Sequence, residues 1–445
     1  MAVNGETSST SEETVSAAPT KEFFISMLVR DIDLDDAIVD LVDNCVDGAR
    51  RSRPDGNFTG LWVRITLSSD QFQIEDNCGG IPFELARDYA FCFGRPEKAK
   101  GVEHSIGRFG VGMKRAFFKM GERFRVETLN ATDHYEVSAD VRQWRGLPDT
   151  WKFPFKRLEP IPPGTEPGTK IYVTALYESV AHDFADEPWV EDLRTAVGMK
   201  HHWAMTQHLG ITINGVPANF SRLAVLNSDQ LAPAVSVFEM KLRKPVSVRV
   251  IAGLGKSSPS DAGWYVYCNG RSVLNADTTP LTGWGGGVIP KFHNQFAEFR
   301  GYAFIESDDT DLLPWRTTKT GVDIESVVYR RVLQEMVDLT RPLIDFLNQK
   351  KEEVESAREE ERLLERAVDS AVSHGDMADA DNLTVKQALK VPTPNYSPLP
   401  EEARVSYWET VDRIRRVKTH LRVRTNPEVG RRTFQYYYTA EVEGT

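Results

Sequence analysis

Three glycines stand directly before a stretch with helical spacing in residues 106–121, IGRFGVGMKRAFFKMG. Glycine loses more conformational entropy on folding than any other residue, and an ordinary solvated turn needs only one. Bare backbone N–H groups at the start of a helix can approach a phosphate closely, and the helix N-terminus favours negative charge. Gly107, Gly110 and Gly112 therefore predict a phosphate-binding loop that leads into a helix.

Residues 33–51 predict a helix with one apolar face and one face crowded with acids. Apolar residues recur at helical spacing and indicate a buried stripe: Leu34, Ile38, Leu41, Val42, Cys45 and Ala49. The other side carries Asp36, Asp40, Asp43, Asn44 and Asp47. Neighbouring carboxylates on a helix repel one another, and Mg²⁺ prefers such oxygen ligands. A cation site is one interpretation, and an acidic surface helix is the other.

The segment IEDNCGGIP follows a strand pattern and ends in a Gly–Gly turn, which places Asp76 at the end of a strand. A carboxylate fixed there can accept a hydrogen bond from an amino group such as that of adenine, and Gly80 lets a base lie close to the backbone. Farther along, PGTKIYV places Gly168 and Thr169 at the start of another strand. Each signal alone is common, but four of them in this order are much more specific.

The four motifs resemble those of the GHKL ATPases, the superfamily of gyrase, the large heat-shock chaperones, histidine kinases and MutL, over about residues 25–180. The matching boxes are DLVDN at residues 40–44, DNCGGI at 76–81, GRFGVG at 107–112 and GT at 168–169. Residues 106–121 are most similar to the MORC ATPases. The resemblance implies a Bergerat-type α/β sandwich that binds ATP with Mg²⁺ and hydrolyses ATP to ADP and phosphate.

The resemblance also implies roles for individual residues. Asn44 would hold Mg²⁺, Asp76 would bind the adenine amine, and Thr169 would contact the base through water. The three glycines, with Lys114 behind them, would hold the β- and γ-phosphates. The implied nucleotide-binding residues are Asn44, Asp47, Asp76, Gly80, Ile81, Gly107, Arg108, Phe109, Gly110, Val111, Gly112, Met113, Lys114 and Thr169.

Two positions depart from the family pattern. Asp40 stands where the family usually carries its general-base glutamate, and the aspartate side chain is one methylene shorter. A base must come within about 2.6–3.2 Å of the group whose proton it takes, or act through a second water, so we expect slow hydrolysis or none. Cys78 replaces the first glycine of the usual Asp-x-Gly-x-Gly box, and we expect Gly79 to supply the turn.

A weaker resemblance covers residues 220–345. Gyrase, MutL and MORC proteins have a second α/β domain there, the transducer, which sends a lysine to the γ-phosphate. LLPWRTTKTGVD at residues 312–323 is similar to that element and makes Lys319 a candidate catalytic residue, with an ordinary loop lysine as the alternative. GWYVYCNGRSVLNAD at residues 263–277 resembles the strand–turn–strand that precedes it.

At 445 residues the chain is too long for one ordinary hydrophobic core, and we predict an α/β protein with several segments. The predicted segments are a flexible arm at 1–20, an ATP-binding domain at 21–219, a transducer-like α/β domain at 220–345, a charged helix at 346–374, a proline-rich linker at 375–403 and a basic, aromatic segment at 404–445. The charged helix is expected to be solvated rather than paired in a coiled coil. The C-terminal region is predicted to be largely helical, with a strand-like run, RRTFQYYYTAEV, at 431–442.

Basic residues cluster near aromatic residues at the C-terminal end of the chain. The candidate nucleic-acid contacts are Arg413, Arg415, Arg416, Lys418, Arg422 and Arg424. These residues could equally pair with the acidic helix upstream and form a small closing domain. The net charge of −11 makes indiscriminate binding to nucleic acid unfavourable but permits a local basic patch.

The four cysteines have no CxxC spacing, which argues against a zinc site and a disulfide framework and predicts a cytoplasmic protein. No apolar run approaches the roughly 18–20 residues needed to cross a bilayer, so no membrane span is expected. The resemblance implies an ATP-gated dimeric clamp whose lid spans residues 92–114. One hypothesis for what it holds is DNA, in genome maintenance or antiviral defence, with partner proteins of the same system. The other hypothesis is a chaperone-like or regulatory scaffold with a protein client. A histidine kinase is disfavoured, because no long phospho-acceptor helix precedes the ATP-binding motifs.

Overall fold

Most of the chain is described by a computed structural model, which covers residues 19–93, 106, 111–147, 151–158, 164–220, 222–316, 318–357, 359–395 and 405–443. Nearly all of the predicted N-terminal arm and most of the predicted lid lie outside these residues. Four residues of the predicted phosphate loop, Gly107, Arg108, Phe109 and Gly110, also lie outside them.

The N-terminal half contains an eight-stranded sheet. Its strands are β1 Trp62–Leu67, β2 Gln71–Asp76, β3 Gly121–Leu129, β4 His134–Asp140, β5 Phe155–Arg157, β6 Gly168–Leu176, β7 Gly210–Ile213 and β8 Val216–Pro217. The strand order is β5-β4-β3-β6-β2-β1-β7-β8, and only β1 and β7 pair in parallel. β1 and β2 form the predicted hairpin, with alternate residues buried as expected for a sheet that has one face on the core.

Eight helices accompany the described part of this sheet. They are α1 Lys21–Arg30, α2 Leu34–Ser52, α3 Phe83–Leu85, α4 Gly112–Met120, α5 Val141–Arg145, α6 Glu178–Ala185, α7 Glu187–Lys200 and α8 His202–Thr206. α4 contacts β3 and β6, and α7 contacts β7. α2 contacts both α4 and α7, so it lies at the centre of the helical layer.

The acidic side of α2 is buried together with its apolar side. Between residues 37 and 49 only Asn44 is exposed, and Asp40, Asp43 and Asp47 are each less than a tenth exposed. An acidic surface helix is therefore the wrong interpretation of this segment. A buried carboxylate must be paired or hydrogen-bonded, because desolvating an isolated charge is very costly.

A second, five-stranded sheet provides part of that cover. Its strands are β10 Ala234–Lys241, β11 Pro245–Leu254, β12 Gly263–Cys268, β13 Arg271–Asp277 and β14 Phe299–Glu306, and they follow the short strand β9 Ala224–Leu226. The order is β10-β11-β14-β12-β13, with β12 and β14 parallel. β12 and β13 form the predicted strand–turn–strand around Asn269 and Gly270. The turn abuts Trp203, and Arg50 of α2 donates to the carbonyl oxygen of Asn269 at 2.7 Å.

Two helices follow the second sheet. α9 Val327–Ser356 packs on β10, β11 and β14 and crosses the boundary predicted at residue 345. α10 Leu363–His374 begins after a break, where the buried carboxylate of Glu353 accepts hydrogen bonds from the backbone N–H groups of Leu364 and Glu365 at 2.9 and 3.1 Å. The charged segment is therefore two helices, and its inner side belongs to the core.

The predicted linker at 375–403 is wrong for its first half. β15 Met377–Asp379 pairs with β9, and Gln387 and Lys390 form bridges to Val235 and Ala232. Arg249 of β11 also donates to the carbonyl oxygen of Ala380 at 2.5 Å. The prolines that suggested a linker begin only at residue 392, whereas Leu389 and Val391 pack against the core.

The predicted strand at 431–442 is also wrong. The C-terminal region forms two helices, α11 Val411–Leu421 and α12 Asn426–Tyr437, followed by a π-helical turn, Tyr438–Val442. Thr425 and Glu428 form a complete capping box at the start of α12, which favours a helix despite the aromatic run. The mixed α/β architecture with a helical C-terminal region is confirmed.

No helix in the described part of the chain is both long enough and apolar enough to cross a lipid bilayer.

Candidate functional site

Asp76 lies at the end of β2, as predicted, and its carboxylate is held from two sides. One oxygen accepts from the backbone N–H of Cys78 at 2.8 Å, and the other accepts from the thiol of Cys45 on α2 at 3.4 Å. Burial raises the pKa of Asp76 to about 6, although these hydrogen bonds and the charge of Arg51 oppose the rise. The carboxylate is therefore fixed in position and is a strong acceptor for a buried amino group once ionised.

The residues around Asp76 form one end of the site. Thr169 is the β6 residue directly opposite Asp76, and its hydroxyl lies 3.3 Å from that of Thr128. The Thr128 hydroxyl also accepts from the backbone N–H of Ile81 at 2.8 Å. Sequence reasoning missed Thr128, because only the pairing of β3 with β6 brings it next to Thr169. Asp76, Gly80, Ile81 and Thr169 are thus brought together.

The turn after β2 needs two residues with positive φ. Gly79 has φ of 97° and Gly80 has φ of 69°, so Gly79 supplies the turn, as expected when Cys78 replaced the usual glycine. A Cβ atom on Gly80 would overlap the carbonyl oxygen of Leu129 on β3. Glycine is therefore required here for both backbone conformation and space.

The opposite end of the site lies where α2 meets the N-terminus of α4. Val111 precedes the helix, Gly112 is its first residue, and Met113 is buried behind it. A Cβ atom on Gly112 would lie 3.0 Å from a carboxylate oxygen of Asp40. The glycine therefore gives Asp40 direct access to the start of α4. Asp47 accepts a hydrogen bond from the backbone N–H of Ile106 at 2.8 Å and so connects α2 to the residue before the glycine run.

Asn44 presents its side chain to solvent between these two ends. Its amide nitrogen donates to the main-chain oxygen of Asp40 at 3.0 Å, which leaves the amide oxygen as the group that could bind a cation. Asn44 and Asp40 therefore occupy the predicted relative positions, one turn apart.

Arg115, rather than Lys114, contacts Asp40. The guanidinium of Arg115 forms a buried ion pair with one oxygen of Asp40. The ammonium group of Lys114 instead donates to the main-chain oxygen of Ala90 at 2.7 Å, and burial lowers the pKa of Lys114 to about 7. On a helix, residue 115 lies on the same face as residue 112, whereas residue 114 does not. Because Gly112 lies against Asp40, helical spacing should have indicated Arg115 as the residue that contacts Asp40.

Lys319 reaches the same carboxylate from the second half of the chain. Its ammonium group lies 3.3 Å from an oxygen of Asp40 and 2.7 Å from an oxygen of Asp43. The other oxygen of Asp43 accepts from the guanidinium of Arg271 on β13 at 2.9 Å and lies 3.4 Å from the ring of His201. Sequence reasoning identified Lys319 but missed Asp43, Arg271 and His201 as its surroundings.

The buried ion cluster of Asp40, Asp43, Arg115, Arg271 and Lys319 has more cations than carboxylates. Burial raises the pKa of Asp43, but the charges of Lys319 and Arg271 outweigh that effect and hold it below its usual range. Burial lowers the pKa of His201 to about 3, so this ring is neutral near pH 7. Three buried cations therefore face two carboxylates, and an anion at this end of the site would balance the charge.

The candidate nucleic-acid contacts lie on the two C-terminal helices rather than at this site. Arg413, Arg415, Arg416 and Lys418 are on α11, and Arg422 and Arg424 are in the α11–α12 connection. Within the described residues, Arg413 and Arg416 form ion pairs with Glu409 and Asp412 on their own segment. Pairing of these two residues with the acidic helix upstream is therefore not seen there.

Comparison with known families gives a match in the same part of the chain. Residues 32–146 match the model for the histidine kinase-, DNA gyrase B- and HSP90-like ATPases. They form a GHKL-type ATPase domain. The match includes Asp40, Asn44 and Asp76, whereas Thr169 and Lys319 lie beyond it. A comparison with curated proteins found no match.

The residues present fit the groups that this domain implies. Asp76 and the close approach at Gly80 suit an adenine base, and the excess of buried cations near Gly112 suits phosphate. The amide oxygen of Asn44 suits Mg²⁺, which binds few protein oxygens and also uses phosphate oxygens. A GHKL-type domain implies ATP binding, typically with Mg²⁺.

Gly80→Ala tests whether the end of the site around Asp76 suits an adenine base, as its residues indicate. We expect a loss of folding free energy larger than the roughly 1–2 kcal/mol that positive φ alone costs, because the new Cβ would overlap Leu129. ADP affinity should fall by more than about tenfold, or about 1.4 kcal/mol. Gly56→Ala is the matched control, because Gly56 has φ of 75° and a Cβ atom added to it would meet nothing within 4 Å. Urea unfolding and calorimetry give both quantities, and equal effects of the two substitutions would contradict the assignment.

Asp76→Asn tests the raised pKa of the buried carboxyl. The native protein keeps this proton up to about pH 6, whereas the unfolded chain releases it near the ordinary value of 3.8. The unfolding free energy of the wild type should therefore fall relative to that of the variant between pH 4 and pH 7, by up to about 3 kcal/mol. Urea unfolding at the two pH values measures the difference, with the exposed Asp70→Asn as control. If the difference in unfolding free energy between wild type and Asp76→Asn does not change with pH, the raised pKa of Asp76 is contradicted.

Proposed function

We propose that the chain is an ATP-gated dimeric clamp that binds ATP with Mg²⁺ and hydrolyses it slowly. The observation that supports this best is the contact of Lys319 with Asp40, because it joins the second sheet region to the ATPase domain at the phosphate end of the site. A ligand can shift a conformational equilibrium only through contacts that differ between the two states. A γ-phosphate that competes for Lys319 would provide such a difference.

In the proposed mechanism, the Asp76 carboxylate accepts a hydrogen bond from the adenine amino group and orients the base. The N-terminus of α4, which begins at Gly112, faces the phosphates, and Asn44 would hold Mg²⁺. Mg²⁺ neutralises charge on the phosphate oxygens when bound. Lys319 contacts the γ-phosphate and stabilises the charge that develops there.

Asp40 takes the proton of the attacking water in this mechanism, as water adds to the γ-phosphorus and ADP leaves. Both oxygens of Asp40 are engaged by cations, one by Arg115 and one by Lys319. Neither oxygen is available to a water molecule while both contacts persist, so the move of Lys319 to phosphate frees one oxygen for water. The short aspartate side chain and this competition together favour slow turnover.

The clamp makes a direct prediction about mass in solution. Wild type with Mg²⁺ and a non-hydrolysable ATP analogue should change from monomer to dimer, whereas ADP should leave it monomeric. Asn44→Ala should stay monomeric with either nucleotide, because it lacks the amide oxygen proposed to hold Mg²⁺. Light scattering coupled to size-exclusion chromatography measures the mass. A wild-type mass unaffected by the analogue at saturating concentration would contradict the clamp.

We further propose that the clamp is MORC-like and associates with DNA, in genome maintenance or antiviral defence, through the two C-terminal helices. Residues 405–443 contain eight Lys and Arg against five Asp and Glu residues, although the whole chain is acidic. Arg415, Arg422 and Arg424 are exposed there, and the same segment carries the fully exposed Trp408. Exposed cations and aromatic rings on one segment suit a phosphate backbone with accessible bases.

Charge reversal tests the DNA partner against a protein client. Arg415→Glu, Arg422→Glu and Arg424→Glu together should weaken DNA binding and reduce the slope of log affinity against log salt by about 2 to 3, because up to three phosphate contacts are lost. The matched control reverses three exposed lysines elsewhere, Lys241, Lys244 and Lys386. Fluorescence anisotropy over a salt series measures both. If DNA neither binds nor changes ATP turnover, the alternative is a chaperone-like or regulatory scaffold with a protein client.

A further inference from the structure

Arg271 has no part in the mechanism described so far, yet it is one of the most deeply buried charged side chains in the described chain. It lies on β13 with 1% of its surface exposed. Its guanidinium donates to Asp43 at 2.9 Å and to the main-chain oxygen of Ser272 at 2.9 Å. A buried ion pair is often no more stabilising than apolar residues of the same size, so stability alone does not explain it.

Asp43 connects Arg271 to Lys319. One carboxylate oxygen of Asp43 accepts from Arg271, and the other accepts from Lys319 at 2.7 Å. His201, which is neutral near pH 7, also lies 3.4 Å from Asp43. Arg50 and Cys45 of α2 interact electrostatically with this carboxylate. The position of the Lys319 ammonium group therefore depends on how Arg271 orients Asp43 and on how much of its charge Arg271 neutralises.

The hairpin that carries Arg271 is fixed to α2 at a second point. Arg50 of α2 donates to the carbonyl oxygen of Asn269 in the hairpin turn, and the Arg50 guanidinium lies 4.5 Å from the centre of the Trp203 ring. The hairpin therefore contacts α2 at two points, Arg50 and Asp43. Both points lie on the helix that also carries Asp40 and Asn44.

The backbone of Lys319 is held in a conformation that residues with a side chain rarely adopt. Its φ is 56°, in the left-handed region that is unfavourable for a residue with a side chain. The turn around it is closed by hydrogen bonds from Lys319 N–H to the Arg316 oxygen and from Arg316 N–H to the Gly321 oxygen, at 2.9 and 3.0 Å. Strain of this kind persists where the surroundings determine the conformation, and it clusters at functional sites.

We propose that Arg271 is a positioning residue: through Asp43 it sets Lys319 at the γ-phosphate end of the site and keeps it free to leave Asp43 for phosphate. This inference rests on the proposed function. Without Arg271, the full charge of Asp43 acts on Lys319 alone and holds the ammonium group away from the nucleotide. Discrimination between ATP and ADP then decreases, while binding of the shared adenosine diphosphate part is unchanged.

Binding of ADP and of a non-hydrolysable ATP analogue, each with Mg²⁺, tests this without any need for turnover. Wild type should prefer the analogue by at least about tenfold, the effect of one charge-assisted contact. Lys319→Met should abolish that preference, Arg271→Met should abolish most of it, and the double variant should lose no more than Lys319→Met alone. ADP affinity should stay within about twofold in all of them. Arg271→Lys keeps the buried charge and so the fold, but loses the planar guanidinium, and should show an intermediate preference.

Three results would overturn the positioning role: a full preference in Arg271→Met, an additive loss in the double variant, or an equal loss of ADP and analogue binding. The last result would indicate a purely structural pair. If Arg271→Met does not fold, the test uses Arg271→Lys instead. If folded Arg271→Lys prefers the ATP analogue over ADP as strongly as wild type does, the proposal is overturned in the same way. Wild type that binds neither nucleotide would instead overturn the proposed function.

Discussion

The burial of Asp43 is the constraint on which the arrangement of the two sheets depends. Its carboxylate is fully removed from water on α2, and its cationic partners are Arg271 and Lys319, both from the second half of the chain. Breaking a buried ion pair by removing one partner typically costs about 3–5 kcal/mol. Separation of the second sheet from α2 would carry a penalty of this kind. The position of Lys319 beside Asp40 and Asp43 therefore depends on contact between the two halves.

The end of the site that we propose to hold adenine could be predicted from sequence because its geometry is local. Asp76 is fixed by the end of one strand, and the Gly–Gly turn follows it directly. The position of Thr169 opposite Asp76 follows as soon as β6 is known to pair with β2. Strand ends and glycine turns are determined by residues close in sequence, so the sequence of this one chain was sufficient.

The end of the site that we propose to hold phosphate could be predicted only in part. Arg271 lies 228 residues from Asp43, and no local pattern links them. Helical geometry indicates that Arg115, three residues after Gly112, lies near Asp40, but the family pattern pointed only to Lys114. The prediction of a strand at 431–442 was wrong because a preference for β-structure takes effect only where a neighbouring strand is available. The capping box at Thr425 needs no such partner and stabilises the start of α12 directly. The prediction of a linker was wrong for residues 377–390, because they pair with β9 and with residues 232 and 235, and because Ala380 accepts from Arg249. The composition of the segment does not reveal these contacts.

Asn44 is the one exposed residue of α2 between residues 37 and 49, and this has a kinetic consequence. Asp40, Asp43 and Asp47 lie beneath the surface of this helix, and each is less than a tenth exposed. A solvent molecule or ion that exchanges at these carboxylates needs a local opening of the surrounding structure, because the closed arrangement leaves almost no space beside them. A helix that looks from its sequence like an open, acidic surface therefore belongs mostly to the protein interior.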